Sequence, residues 1–258
     1  MISPTDSVDD SILLEMRERV AYVTLNRPGT HNALNHPMRR SAIGILQGLN
    51  GDAEVRAIVI QGAGVSFCSG QDQNESAQMD AESAAQRISD YGELFTAVRT
   101  SEKPTIARLT GYAAGAGLQL ALHCDLRIAT REAQLGMTEL NVGSACITGS
   151  SALDGYVTGA VMREMILYSE FYSAERAYQV GLVSELVESA KLDDRVWEVA
   201  SRVAGYPPLP VKLTKEWWTA MDDFRFAETM EWAQAAHAQN HEFGALNESA
   251  RNFVERSK

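Results

Sequence analysis

The stretch Thr110-Gly-Tyr-Ala-Ala-Gly-Ala-Gly-Leu-Gln-Leu-Ala-Leu-His-Cys-Asp125 constrains the fold more than any other part of the chain. Pro104-Thr-Ile-Ala-Arg-Leu109 before it reads as a buried strand, and Leu118, Leu120, Ala121 and Leu122 after its small residues read as a buried helix. Small residues let the backbone approach a ligand closely, and the first N–H groups of a helix have no partner within it. A free, partly positive N–H near Ala116 could therefore hold a carbonyl oxygen that gains negative charge. Tight helix–sheet packing alone would select the same residues.

A second unit of the same kind lies upstream. Val55 to Gln61 is a β-branched run expected of a strand buried on both faces, followed by the small-residue loop Gly62 to Asp72. If both loops open at one sheet edge, each can offer one N–H to a single oxygen. Neither loop has the GxxxxGK[ST] pattern or a GxGxxG with a following acid, so a phosphate cradle is disfavoured.

Length and composition limit what such a site can serve. The 258 residues, 45% hydrophobic, suffice for one full core with or without an appendage. The net charge of −11 with scattered basic residues disfavours nucleic acid as a partner. No apolar run is long enough to span a bilayer, and the N-terminus lacks the basic and apolar regions of a secretory signal. Cys68, Cys124 and Cys146 are odd in number and without a CxxC pair, which argues against a disulfide frame or a metal site and fits a cytoplasmic location.

The remaining elements are read in order. Ser11 to Met16 and Val20 to Asn26 form a hairpin, and a helix begins near Pro37 with Ile43, Leu46 and Leu49 on its apolar face. Further helices are expected over about 81–100, over 152–168 in two pieces, from a cap at Ser173, and over 192–204, with a short strand at 183–187. Tyr206-Pro-Pro-Leu-Pro210 is the best boundary, which divides a core at 1–206 from a helical region at 207–258. That region reads as helices over 211–221, 225–239 and 247–255, and its aromatic density suits packing on a core or a partner.

These segments together resemble the crotonase superfamily, the enoyl-CoA hydratase/isomerase family. The resemblance rests on Val23-Thr-Leu-Asn-Arg-Pro28, Asn32-Ala-Leu34, Ala57-Ile-Val-Ile60, Phe67-Cys-Ser-Gly-Gln-Asp72, Gly111 to Asp125, Gly181-Leu-Val183 and Phe253-Val-Glu-Arg256, in that order and spacing. It implies an α/β spiral of ββα units with two roughly perpendicular sheets and a C-terminal helical region that builds homotrimers or hexamers. It implies an acyl-CoA thioester as substrate, with coenzyme A present only as part of that thioester and no tightly bound cofactor. The oxyanion donors would be the N–H groups of Gln71 and Ala116. Ala33 and Leu34 would contact CoA through the backbone, with Asp72, Phe253 and Arg256 also at the CoA; the alternative roles are loop fixing for Asp72 and helix packing for Phe253.

The resemblance also sets the chemistry. Hydratases of this family carry two glutamates, of which this chain keeps Glu139 and replaces the other by Gln119, an amide with no basic form near neutral pH. Ile147 stands where hydrolases and dehalogenases of the family often place an aspartate, and is expected to dry and narrow the site. The single base Glu139 then favours a double-bond shift, its pKa raised by desolvation. Hydration with Gln119 orienting water is the alternative, and a non-catalytic acyl-CoA-binding subunit is a third. Without the resemblance, Glu139 could be a solvated acid at a helix start capped by Thr138. His123 reads as a packed core residue, Cys68 and Cys146 as small apolar fillers, and His31 and His36 as residues of the pocket mouth or of the exposed surface.

Overall fold

The computed structural model describes residues 10–244 together with Arg251 and Glu255, so Phe253, Arg256 and all but those two residues of the helix expected over 247–255 lie outside the described residues. Strands β1 (Ile12–Arg17) and β2 (Val20–Leu25) form the expected hairpin, turned at Glu18. Helix α1 (His36–Gly51) starts at an Asn35 cap with Pro37 in its first turn, and buries Ile43, Leu46 and Leu49. Strand β3 (Ala57–Gly62) is almost wholly buried. The short helix α2 (Gln73–Ser76) and the long helix α3 (Ala81–Arg99) follow the first loop, each capped by an aspartate.

The second half of the core repeats that plan: β4 (Thr105–Leu109), β5 (Tyr112–Ala114), α4 (Ala116–Leu122), β6 (Leu126–Thr130) and β7 (Gln134–Gly136). Then come α5 (Ile147–Leu153), α6 (Gly159–Tyr168), β8 (Tyr172–Ser173), α7 (Ala174–Gln179), β9 (Glu185–Val187), α8 (Leu192–Ala204) and α9 (Pro208–Glu242). One sheet runs β1-β2-β3-β4-β6-β9 and is parallel except for its hairpin; the other runs β5-β7-β8.

The chain climbs by alternating between these sheets. Cys68 pairs with Ala113, Ala113 with Leu135 and Leu135 with Tyr172, so each successive turn lays one short strand on the last. The fold is the mixed α/β, two-sheet architecture with a helical C-terminus that the sequence leads one to expect. Two expectations change. Residues 112–114, taken as part of a turn, form β5, which two neighbours hydrogen-bond. The helices expected at 211–221 and 225–239 are one 35-residue helix, because Asp222-Asp223-Phe224 contains neither Gly nor Pro and Arg99 pairs with both aspartates. Proline is tolerated in the first turn, so Pro208 and Pro210 start that helix rather than separate it.

Candidate active site

A cavity of about 950 Å³ lies between the two loops and the helices α3 and α9. Gln71, Ala116, Gln119 and Glu139 all line it, as do Ala33 and Asp72. Glycine brings the loops together. A side chain at Gly70 (φ +92°) would meet the Ala114 carbonyl at 2.6 Å and the Ala116 nitrogen at 3.3 Å. Gly115, at φ +49° and ψ −125°, turns the chain from β5 into α4 in a conformation only glycine adopts readily. Neither the Gln71 nor the Ala116 N–H donates to another group among the described residues, so both amides are free at the cavity wall.

Glu139 opens a short 3-10 turn, Glu139–Val142, that lies against this glycine turn: its Oε1 is 3.6 Å from where a Gly115 Cβ would sit. Thr138 makes no side-chain cap, so the solvated-acid reading of Glu139 loses its cap. Gln119 Nε2 donates to Glu139 Oε1 at 2.7 Å. A carboxylate only accepts, which fixes the amide's orientation and turns Gln119 Oε1 away. Both Gln119 Oε1 and Glu139 Oε2 are buried without a partner among the described residues. Burial raises the Glu139 pKa above the usual carboxylate range, while its own backbone amide, Gln119 and the Cys146 thiol pull it down.

The first loop is tied down from several sides. Asp72 caps Asn74 and Glu75 and pairs with Arg27 at 2.8 Å, so its carboxylate fixes the loop. Leu34 is fully buried; its N–H donates to Gly70 O and its carbonyl accepts from Asp72 and Arg39. Its main-chain N–H and carbonyl are thus both engaged within the chain, whereas Ala33 reaches the cavity wall. The Gln71 side chain accepts from Tyr91 Oη at 2.7 Å and donates to Glu75.

Other expectations resolve as follows. Ile147 is not among the lining residues; the wall there is Ser144, Ala145 and Thr148. It begins α5, which turns its neighbour Thr148 toward the cavity instead, so the expected drying by Ile147 is not provided. His123 packs between Phe95 and Phe226, and burial lowers its pKa to about 3, so it is a neutral, half-buried packing residue. Cys68 is buried with its thiol raised to about 12 by desolvation. Cys146 is more than a filler, since it lies beside the Glu139 carboxylate. His31 lines the cavity and bonds Ser66 at 3.0 Å; His36 instead pairs with Asp90 at 2.8 Å.

Sequence reading missed the helical wall. Arg87, Ile88 and Tyr91 of α3 and His237 of α9 line the cavity, and Asn240 of α9 bonds Gly143 O and Ala145 N of the loop after Glu139.

Fold and cavity define an acyl-thioester enzyme of the crotonase type. The chain belongs to the enoyl-CoA hydratase/isomerase family, whose sequence model matches residues 15–258. It is 40% identical over 207 residues to (E)-benzylidenesuccinyl-CoA hydratase of Thauera aromatica, covering 80% of each chain. It is 31% identical over 209 residues to the short-chain-enoyl-CoA hydratase of Clostridium acetobutylicum, again covering 80% of each. An enoyl-CoA hydratase/isomerase structure from Mycobacterium paratuberculosis superposes with a TM-score of 0.89 over 96% of this chain and 100% of that one, at 22% identity, a likeness of fold.

Proposed function

We propose that the chain hydrates an α,β-unsaturated acyl-CoA, the alternative that Gln119 leaves open, rather than shifting a double bond. The observation that carries this reading is the pair of buried, unpartnered acceptors, Gln119 Oε1 and Glu139 Oε2. A water has two donor hydrogens, and these two oxygens can receive both. A wall of Ser144 and Thr148 in place of Ile147, and the hydratase names of the relatives above, support the same choice.

In this mechanism the thioester carbonyl accepts from the Gln71 and Ala116 N–H groups. Each such donor is worth about 100-fold in rate because it acts on charge that develops in the transition state. Glu139 Oε2 takes one proton from the water as its oxygen bonds to C3, and the C2=C3 electrons move to C2 and the carbonyl oxygen. The resulting enolate takes the proton from Glu139 at C2, so the net addition is one water. Gln119 cannot accept that proton and only orients the water. The raised pKa of Glu139 suits a group that must both take and return a proton.

Incubation with crotonyl-CoA in ¹⁸O-labelled water tests the reaction. Hydration places the label on C3; a shifted double bond without label would assign the single-base isomerase instead, and no product with any enoyl thioester would assign a binding subunit. The CoA arm is placed along Ala33, in a cytoplasmic enzyme that takes no nucleic acid partner. The tail 207–258 is proposed as the association surface of a homotrimer, supported by the exposed Trp217, Trp218, Met221, Phe224 and Trp232 on α9; a monomer mass in sedimentation would overturn it.

A further inference from the structure

Three acidic or guanidinium side chains line the cavity: Asp72, Arg87 and Glu139. Asp72 is paired with Arg27, and Glu139 is placed above. Arg87, on the α3 wall, is 3% exposed and forms no ion pair among the described residues, although the Glu75 carboxylate is near enough to act on it weakly. Its one hydrogen bond among the described residues runs from Nη2 to His237 Nδ1 at 3.3 Å, and its Nε is buried without a partner. Burial, then the charge of Arg87, lowers the His237 pKa to about 4, so the ring is a neutral acceptor and brings no countercharge.

The carboxylates around Arg87 are already engaged. Glu75 is held by both terminal nitrogens of Arg39, at 3.1 and 2.9 Å. Asp90 is shared by His36, Arg39 and Gln86. Burial accordingly pushes the Arg87 pKa down, although a guanidinium keeps its proton. A buried cation without a partner is costly to keep, and an arriving anion offsets that cost. Arg87 precedes Tyr91 by one helical turn, about 6 Å between Cβ atoms, and the Tyr91 hydroxyl bonds the side chain of Gln71. The guanidinium thus shares the cavity wall and a helix face with the residue that bonds the Gln71 side chain.

We propose that Arg87 docks a carboxylate carried by the acyl group, so that the substrates are CoA thioesters of acids with a second carboxyl rather than plain hydrocarbon chains. This rests on the reading of the cavity as an acyl-CoA site. The fork geometry of Arg87 suits bidentate recognition, and the apolar faces of Ile88 and Tyr91 would flank the intervening carbons.

The test uses two short saturated acyl-CoA thioesters, identical except for a terminal carboxylate or a primary amide. Neither can be hydrated, so calorimetry reads binding whatever the reaction is. The unmodified protein should bind the acid about 100-fold tighter than the amide, because a site built for a charged partner leaves a buried group unpaired with the other. Arg87→Met should abolish that preference while leaving the amide and free CoA within about threefold, and Arg87→Lys, which keeps the charge but loses the fork, should fall between. Equal binding of acid and amide by the unmodified protein would overturn the proposal without any variant. Equal weakening of acid, amide and free CoA by Arg87→Met would assign the guanidinium to the CoA phosphates instead. If the preference holds and no enoyl thioester is hydrated, the reaction assignment fails and the docking role stands.

Discussion

Two arginines are buried to nearly the same degree in this protein and live in opposite circumstances. Arg39 of α1, 1% exposed, reaches Glu75, Asp90, the Leu34 carbonyl and the Gln71 side chain. Burial alone would lower its pKa, but Tyr91, Glu75 and Asp90 together overcome that desolvation, and the pKa rises. Arg87, 3% exposed, hydrogen-bonds only a neutral histidine among the described residues, and burial lowers its pKa. The first network is closed: every charge in it is answered from within the chain, and its product is a rigid Gln71 loop. The cavity wall is open: it lacks donors at Gln119 and Glu139 and an acceptor at Arg87. Buried polar groups are seldom left unpaired, and where they collect on one cavity they describe what that cavity is built to receive. The closed network should therefore be costly to cut in stability, and the open wall costly to cut in function.

The largest expected effect lies on the open wall. Glu139→Gln removes the carboxylate assigned to take the water's proton, and turnover should fall about 10³-fold or more, with thioester affinity little changed. Stability should move the other way. The folded state raises this carboxyl's pKa, so the ionised form opposes folding at neutral pH and that opposition fades on acidification toward the ordinary range near 4.5. The variant should thus melt higher than the parent at pH 7, with the difference closing in acid; calorimetric scans across pH read it. In the parent, kcat/KM should drop on acidification at a pH above the ordinary carboxylate range. A variant that lost turnover and also melted lower at pH 7 would break the distinction between the two regions.

Cutting the closed network should do the reverse. Arg39→Met leaves Glu75 and Asp90 buried or half-buried without their main cation, and loss of one member of such a set costs about 3–5 kcal/mol. Chemical denaturation measures this directly. Arg87→Met, at equal depth, should cost far less, because it removes a charge that had no answer. A similar loss for the two substitutions would mean that Arg87 is held by partners as firmly as Arg39.

The sequence reveals the closed parts better than the open ones. The buried runs of β3 and β4, the cap and apolar face of α1 and the two glycine loops all write a local pattern, and the family resemblance placed Glu139 and Gln119 side by side. Strands β5, β7 and β8 are only two or three residues long, too short for any periodicity to register. Arg87 was hidden for a more specific reason. Asp90 follows it by three residues on a helix, the spacing of an ordinary surface ion pair. In the folded chain Asp90 turns to His36 and Arg39, more than fifty residues away, and to Gln86 of its own helix, which leaves Arg87 without that carboxylate. His237 and Asn240 approach the site from α9, from positions no local pattern connects to Glu139. Leu34 adds a tie that no local pattern shows, since its main chain bonds both Gly70 and Asp72 of the distant loop.

The smallest effect is expected where the two regions meet. Tyr91 lines the cavity, yet its hydroxyl donates to Gln71 Oε1 at 2.7 Å and so belongs to the closed network as well. Tyr91→Phe removes the donor but keeps the ring that packs on Phe95 and faces Arg39. Gln71 would still accept from Arg39 and donate to Glu75 and the Asp72 carbonyl, so the loop keeps most of its anchors. One neutral hydrogen bond of this kind is worth about 1 kcal/mol. If that bond serves only the network, the loss appears in melting and kcat stays within experimental error. If it also holds the Gln71 N–H on the thioester oxygen, kcat falls about threefold while KM for the enoyl thioester hardly moves, because the donor acts more strongly on the transition state than on the bound substrate. The split between kcat and KM therefore tells how sharply the boundary between the closed network and the open wall is drawn, and we expect the threefold loss.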